Sequence, residues 1–246
     1  MQTEYHDHSH EHRSCCSDSQ GNIDSQDNIK CFPATQLCCP LYGSLETANV
    51  ILTSEAEINL LVEQNMELGN FVIAISLLNK LIKRDPRNAA NYNNRGLLYF
   101  RNSQISEALA DLTYAIELDP MLDSAYNNRA NCYAAIGDLV SAISDYDLAL
   151  DINPANLRIW INQGITFREM NSFDLALGNF DIALILGDSL QENIYAERGR
   201  THHLRGDWNC AVADYQTALR LLSFLDKTQY LEQVQIWLDQ LLYPLS

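Results

Sequence analysis

Tyr92 to Pro120 reads YNNRGLLYFRNSQISEALADLTYAIELDP. Moved forward by 34 residues it recurs as Tyr126 to Pro154, YNNRANCYAAIGDLVSAISDYDLALDINP, and moved again it returns as Trp160 to Asp188 without the closing proline. A fixed period of this length sets the architecture before any local motif is weighed. Each copy is one supersecondary unit that buries its apolar face only against its neighbours.

Inside each copy, large and small residues alternate in a constant order. The second unit carries Tyr92, Gly96 and Tyr99 on one helical face, then Ala108, Leu112 and Ala115 on the facing stripe. The third repeats this as Tyr126, Ala130, Tyr133, Ala142, Tyr146 and Ala149, and the fourth as Trp160, Gly164, Phe167, Ala176, Phe180 and Ala183. The small residues permit close helix approach, and the aromatics fill the space where three helices meet. Pro86, Pro120 and Pro154 share the period and end a helix each, lacking an amide donor and restricting the residue before them.

Working outward, a fifth unit holds Tyr195, Gly199, His202, Ala211, Tyr215 and Ala218 after one extra residue. A first unit is weaker in Ile58, Val62 and Asn65 but recovers Ala74, Leu78 and Pro86. Ser54 and Glu57 have capping-box spacing and open that unit. The expected units are 55–88, 89–122, 123–156, 157–190 and 192–225. A lead-in occupies 44–54, and 226–246 is expected to form a capping helix and tail, with Leu231, Val234, Leu238 and Leu241 or Leu242 on one face. Residues 1–43 are rich in Ser, Asp, Asn, Gln, His and Cys, show no helical period and are expected to be largely disordered.

The order aromatic, small, aromatic, then Ala, aromatic, Ala and a closing Pro over this period resembles the tetratricopeptide repeat, over about Glu55 to Leu225. The resemblance implies an all-α, right-handed solenoid of helical hairpins whose concave face, lined by first helices, binds an extended peptide or helix of a partner. It implies a non-enzymatic scaffold or assembly factor. The words YNNRG and AIELDP also resemble tetratricopeptide proteins of cyanobacteria and plastids, some of which assist photosystem assembly.

Thirty-two acidic residues face sixteen basic ones, a formal charge of −16. Phosphate recognition needs clustered Lys and Arg, so nucleic acid and anionic membranes are not expected partners. No stretch is long and apolar enough to span a bilayer and the N-terminus lacks a secretory layout, so the expected location is cytoplasmic. Seven cysteines, five of them within the first 39 residues and four in the vicinal pairs Cys15–Cys16 and Cys38–Cys39, read as reduced thiols. No Ser–His–Asp set, phosphate loop or paired catalytic carboxylate stands out, and no catalytic residue or resident cofactor is expected. Cys132 and Cys210 are expected to be packing residues.

Candidate binding residues recur with the units. Asn94, Asn128 and Asn162 lie two residues past each opening aromatic, with Asn93, Asn127 and Asn131 beside them. An amide offers donor and acceptor, so such a row can hold a peptide backbone, resembling the asparagine ladder of O-GlcNAc transferase, or can bond one repeat to the next. Arg158, Arg168, Arg200 and His203 fall at groove-type places, either as a local basic patch or as helix surface neutralised by Glu169 and Glu197. Arg95, Arg129 and Arg198 are periodic and read as structural. The carboxylate clamp of chaperone-binding family members is built of Lys, Asn, Asn, Lys and Arg. The corresponding places hold Asn59, Glu63, Asn94, Ser124 and Asn128, so the lysines and arginine are missing and an Hsp70/Hsp90 co-chaperone is not expected.

His6, His8, His10 and His12 alternate and are followed by Cys15 and Cys16. Such donors suit weak, exchangeable Zn, Cu or Ni, which opens a metal-handling or metal-sensing alternative with the repeats as docking surface; the other reading is a solvated polar tail. If the tail binds metal, titration of Zn and Cu should find sites in the full chain that are lost from a chain lacking residues 1–16. Equal affinities would dispose of the alternative.

Overall fold

A computed structural model describes residues 54–225 and 228–242. Tail 1–43, with its histidines and cysteines, and nearly all of the lead-in lie outside the described residues. Ten helices form five consecutive hairpins: α1 (Glu55–Glu67) with α2 (Phe71–Arg84), α3 (Ala89–Arg101) with α4 (Ile105–Leu118), and α5 (Asp123–Ala135) with α6 (Leu139–Ile152). Then come α7 (Leu157–Glu169) with α8 (Phe173–Leu186), α9 (Gln191–Arg205) with α10 (Trp208–Leu222), and finally α11 (Thr228–Leu242). Each second helix packs on the first helix of the following unit, and α11 lies on α10 and α9. Among the described residues the chain forms the all-α solenoid expected from the period.

Local chemistry explains where each helix starts and stops. The Ser54 hydroxyl accepts from the Glu57 amide at 3.2 Å while the Glu57 carboxylate accepts from the Ser54 amide at 3.2 Å, completing the capping box. Asn88 and Asp138 cap α3 and α6 with their side chains alone, accepting from the Asn91 and Ser141 amides. All five hairpin turns share one device. A residue one or two positions past the first helix takes a left-handed backbone: Gly69, Ser103, Gly137, Asn171 and Gly206. In the second unit the Ser103 amide then donates to the Phe100 carbonyl at 3.0 Å and the Gln104 amide to Tyr99 at 2.8 Å, a Schellman pattern that satisfies orphan carbonyls. Between units, the opening aromatics fasten the proline corners: Tyr92 Oη donates to the Pro86 carbonyl at 3.3 Å and Trp160 Nε1 to the Pro154 carbonyl at 2.8 Å.

Close approach within each hairpin is enforced by volume. A Cβ placed on Gly96 would meet Leu112 Cγ at 2.7 Å, and one on Gly164 would meet Phe180 Cε1 at 2.9 Å. Tyr146, Phe180 and Tyr215 are essentially fully buried at this junction. At the far end, Val234 and Leu238 of α11 cover Tyr215, Ala218 and Leu222, with Leu241 partly buried and Leu242 facing out. Cys132 is completely buried beside Ala108 and Leu112, and burial pushes its thiol up to about 11. The expectation for Cys210 is corrected: it is exposed, because it points outward from the first turn of α10 one residue before the packed Ala211.

The periodic arginines are structural, as expected, and they join units as well as helices. Arg95 grips Asp111 through two bonds of 2.6 and 2.7 Å and reaches back to Asn79 of the preceding unit at 2.6 Å. Arg129 repeats this with Asp145 and Thr113, and Arg198 with Asp214 and Asp181. Each aspartate hydrogen bond raises its arginine's already high pKa. The fourth unit builds the same bridge without a charged pair. Gln163 accepts from Asn179 at 2.8 Å and donates to Asp147 at 2.7 Å.

Two outcomes follow from this architecture. Asp145→Ala strands a guanidinium that is only 17% exposed and should cost about 2–4 kcal/mol, whereas Arg129→Gln with Asp145→Asn, copying the fourth unit, should cost under about 1.5 kcal/mol by urea unfolding. Equal losses would show that the neutral pair is no substitute. Ser103→Gly, at a positive φ of 61°, should stabilise the chain by roughly 1 kcal/mol, read as a raised denaturation midpoint.

Candidate functional site

Because second helices are engaged with the following unit, the first helices line one common face, where α3 meets α5, α5 meets α7 and α7 meets α9. A hollow of about 620 Å³ opens on that face. From α3 it takes Asn93, Asn94, Leu97, Phe100 and Arg101, and from α5 Ser124, Asn127, Asn128 and Asn131. From α7 and its approach come Asn156, Arg158, Ile161 and Asn162, and from the start of α9 Leu190 and Asn193.

The asparagines are wired to one another across the repeats. Asn162 donates to Asn127 at 3.1 Å, Asn127 to Asn128 at 3.4 Å, Asn128 to Asn93 at 2.9 Å, and Asn93 to Asn94 at 3.3 Å. Two of these four bonds join neighbouring units, so the row does help to hold the stack. It is not thereby used up. A primary amide has two N–H groups and an oxygen with two lone pairs, and each donor in the relay spends one N–H. Asn131 is oriented separately: its oxygen accepts from the buried Tyr146 hydroxyl at 2.6 Å, which leaves its NH₂ group to the hollow.

The electrostatics of the hollow oppose those of the chain. It contains Arg101 and Arg158 and no carboxylate, in a protein of formal charge −16. Neither arginine forms an ion pair among the described residues. Both are exposed, at opposite ends of their helices: Arg101 closes α3 and Arg158 begins α7.

Of the expected site residues, the structure brings Asn93, Asn94, Asn127, Asn128, Asn131, Asn162 and Arg158 together. It places three others elsewhere. Arg168 is buried and bound to the Glu197 carboxylate at 2.6 Å. Arg200 lies over the Trp237 ring at 4.6 Å, as part of the contact with α11. His203 sits 3.3 Å from the Tyr215 hydroxyl. His6, His8, His10, His12, Cys15 and Cys16 lie outside the described residues. Among the described residues no group of three or more His, Cys, Asp or Glu is placed to hold a metal ion.

Sequence reasoning passed over Arg101, Phe100 and Asn193. Asn193 had a signal: it stands 35 residues after Arg158, the same offset that separates Gly199 from Gly164. The extra residue before the fifth unit is absorbed at Leu190, whose φ of 62° is left-handed and which itself lines the hollow. Arg101 had none, because it ends a helix, where a cation complements the helix dipole whether or not it does anything else.

Residues 65–120 and 93–156 match the tetratricopeptide repeat family. Among solved structures, a thermophilic protein of this repeat class from Thermus thermophilus is similar with a TM-score of 0.66, at 19% identity over 77% of this chain and 99% of its own. PilF of Pseudomonas aeruginosa is similar at 0.60 and 18% identity, over 78% of this chain and 92% of its own. MamA is similar at 0.55 and 21% identity, over 65% and 92%. At such identities the likeness is one of fold. No curated protein matches the sequence.

Proposed function

The chain is a tetratricopeptide-repeat protein, and from that premise we propose that it is a non-enzymatic protein-interaction scaffold that takes an extended segment of a partner into the amide-lined hollow. The observation that carries this reading is the relay from Asn162 to Asn94. Its bonds hold the amides in fixed orientations, and the N–H groups and lone pairs left over match the alternating carbonyls and amides of an extended backbone. Leu97, Phe100, Ile161 and Leu190 supply apolar contact between the polar positions.

The partner is a protein rather than a nucleic acid, since two arginines in a chain of −16 make no phosphate-tracking surface. An acidic chaperone tail is a poor occupant, since Asn59, Ser124 and Asn128 stand where the clamp has its cations. A cytoplasmic setting accords with the reduced-thiol reading of the cysteines, and among the described residues no helix is long and apolar enough to cross a membrane. An assembly-factor role is the finer form of the proposal and rests on the wording of the repeats alone.

Pull-down from the native cell followed by mass spectrometry should identify the partner. Asn94→Ala with Asn162→Ala, at the two ends of the relay, should abolish its capture while lowering the unfolding free energy by about 1–2 kcal/mol at most. Asn128→Ala, which leaves the buried Asn93 oxygen unpaired, should lose both binding and stability. Undiminished capture by the first variant would show that the amides serve the stack alone.

A further inference from the structure

A second hollow, of about 460 Å³, lies on the same face between α1 and α3 and shares Asn94 with the first. Glu55, Asn59 and Glu63 of α1 line it, with Met66, Asn91 and Asn94. Its charge is the reverse of its neighbour's: two carboxylates and no cation, against two guanidiniums and no carboxylate. Glu55 and Glu63, like Arg101 and Arg158, form no ion pair among the described residues. Arg95, Arg129, Arg168, Arg198 and Arg205, by contrast, are all paired. Opposite charges have thus been segregated along the face instead of neutralising one another.

Asn91 supplies an independent sign of a ligand. It is 5% exposed, forms part of the wall of the second hollow, and its Nδ2 has no hydrogen-bond partner. The matching residues of the next three units are Ala125, Ile159 and Ile194, all fully buried and apolar. Packing therefore does not require an amide at this register. A buried donor without an acceptor carries a desolvation penalty that an apolar residue avoids, and a carbonyl from outside the chain removes it.

We propose that the two hollows are one charge-polar groove, whose occupant is an extended peptide segment with a basic residue over α1 and an acidic residue over α3 to α7. This rests on the peptide-binding reading above and adds the charge order of the peptide. Glu55 and Glu63 receive the basic side chain, Asn91 takes a backbone carbonyl beside it, and Arg101 and Arg158 receive the acidic side chain. Neighbouring helices lie about 10 Å apart and an extended chain rises ~3.3 Å per residue, so the two charges are separated by roughly three to nine residues. A groove of this kind rejects uniformly acidic and uniformly basic segments alike, since each places like charge against one of its halves.

Selection of a phage-displayed random dodecapeptide library on the full chain tests this. Enriched peptides should carry Lys or Arg at about that spacing from Asp or Glu. Glu55→Gln with Glu63→Gln should remove the preference for the basic residue alone, and Arg101→Gln with Arg158→Gln the preference for the acidic one, each lowering affinity for a selected peptide about threefold to tenfold. Asn91→Ala should raise the melting temperature while weakening that peptide, a pairing that a purely structural amide does not produce. Enriched peptides without spaced opposite charges, or preferences unchanged in the glutamine variants, overturn the charge order. If binding of such peptides is nevertheless lost in Asn94→Ala with Asn162→Ala, the amide groove survives and only the charge order falls. If no peptide is enriched on the full chain, both fall.

Discussion

The structure depends on how closely the two helices of a hairpin approach. At Gly96 and Gly164 there is no room for a further carbon against Leu112 and Phe180, and at Ala130 a single methyl group faces the buried Tyr146. This contact sets the angle and spacing of each hairpin, and the same contact in each of the following units propagates that spacing along the stack. The Arg–Asp bridges act on the result. They cross from one helix to its partner and back to the preceding unit, so they link the geometry inside a hairpin to the geometry between hairpins. That a Gln–Asn pair takes over in the fourth unit shows what the position demands: hydrogen bonds to the partner helix and back to the preceding unit across a part-buried gap, for which an ion pair is one solution.

The hollow is a consequence of this regularity. Stacking similar hairpins brings successive first helices side by side, so an amide that recurs with the period meets the residue next to its own copy in the adjoining unit. Asn128 and Asn93, or Asn162 and Asn127, are 35 residues apart in the chain and within 3.1 Å in space. Holding the stack and presenting a binding surface are therefore compatible roles. The inter-unit bond orients the amide, and an oriented amide loses less freedom when it meets a peptide.

Charge is distributed with equal economy. Most cations near the concave face are committed: Arg168 to Glu197, Arg198 to Asp214 and Asp181, Arg200 to the Trp237 ring. What remains uncompensated is few in number and sorted by sign, with carboxylates toward α1 and guanidiniums toward α3 and α7. In a chain of −16 the local surplus of two positive charges in the central hollow is a feature of placement, since composition alone points the other way.

Period, helix limits, the capping box at Ser54, the proline corners and the covering helix at the end were legible in the sequence, because each follows from interactions within a few residues of chain. Helical periodicity, an amide-free proline and a reciprocal Ser–Glu cap act locally and leave a local trace. The recurring left-handed turn residue was legible only in part, since Ser103 and Asn171 occupy a place that Gly69, Gly137 and Gly206 make obvious. The division of the arginines into committed and free, the burial of Arg168, the exposure of Cys210 and the pairing of the asparagines were not legible. Each depends on a distance between residues far apart in the chain, and that distance is set by the rise and rotation from one hairpin to the next. The sequence by itself determined that these helices must stack and which residues recur on the inner face; only the tertiary structure decided which of those residues satisfy one another and which are left for a partner.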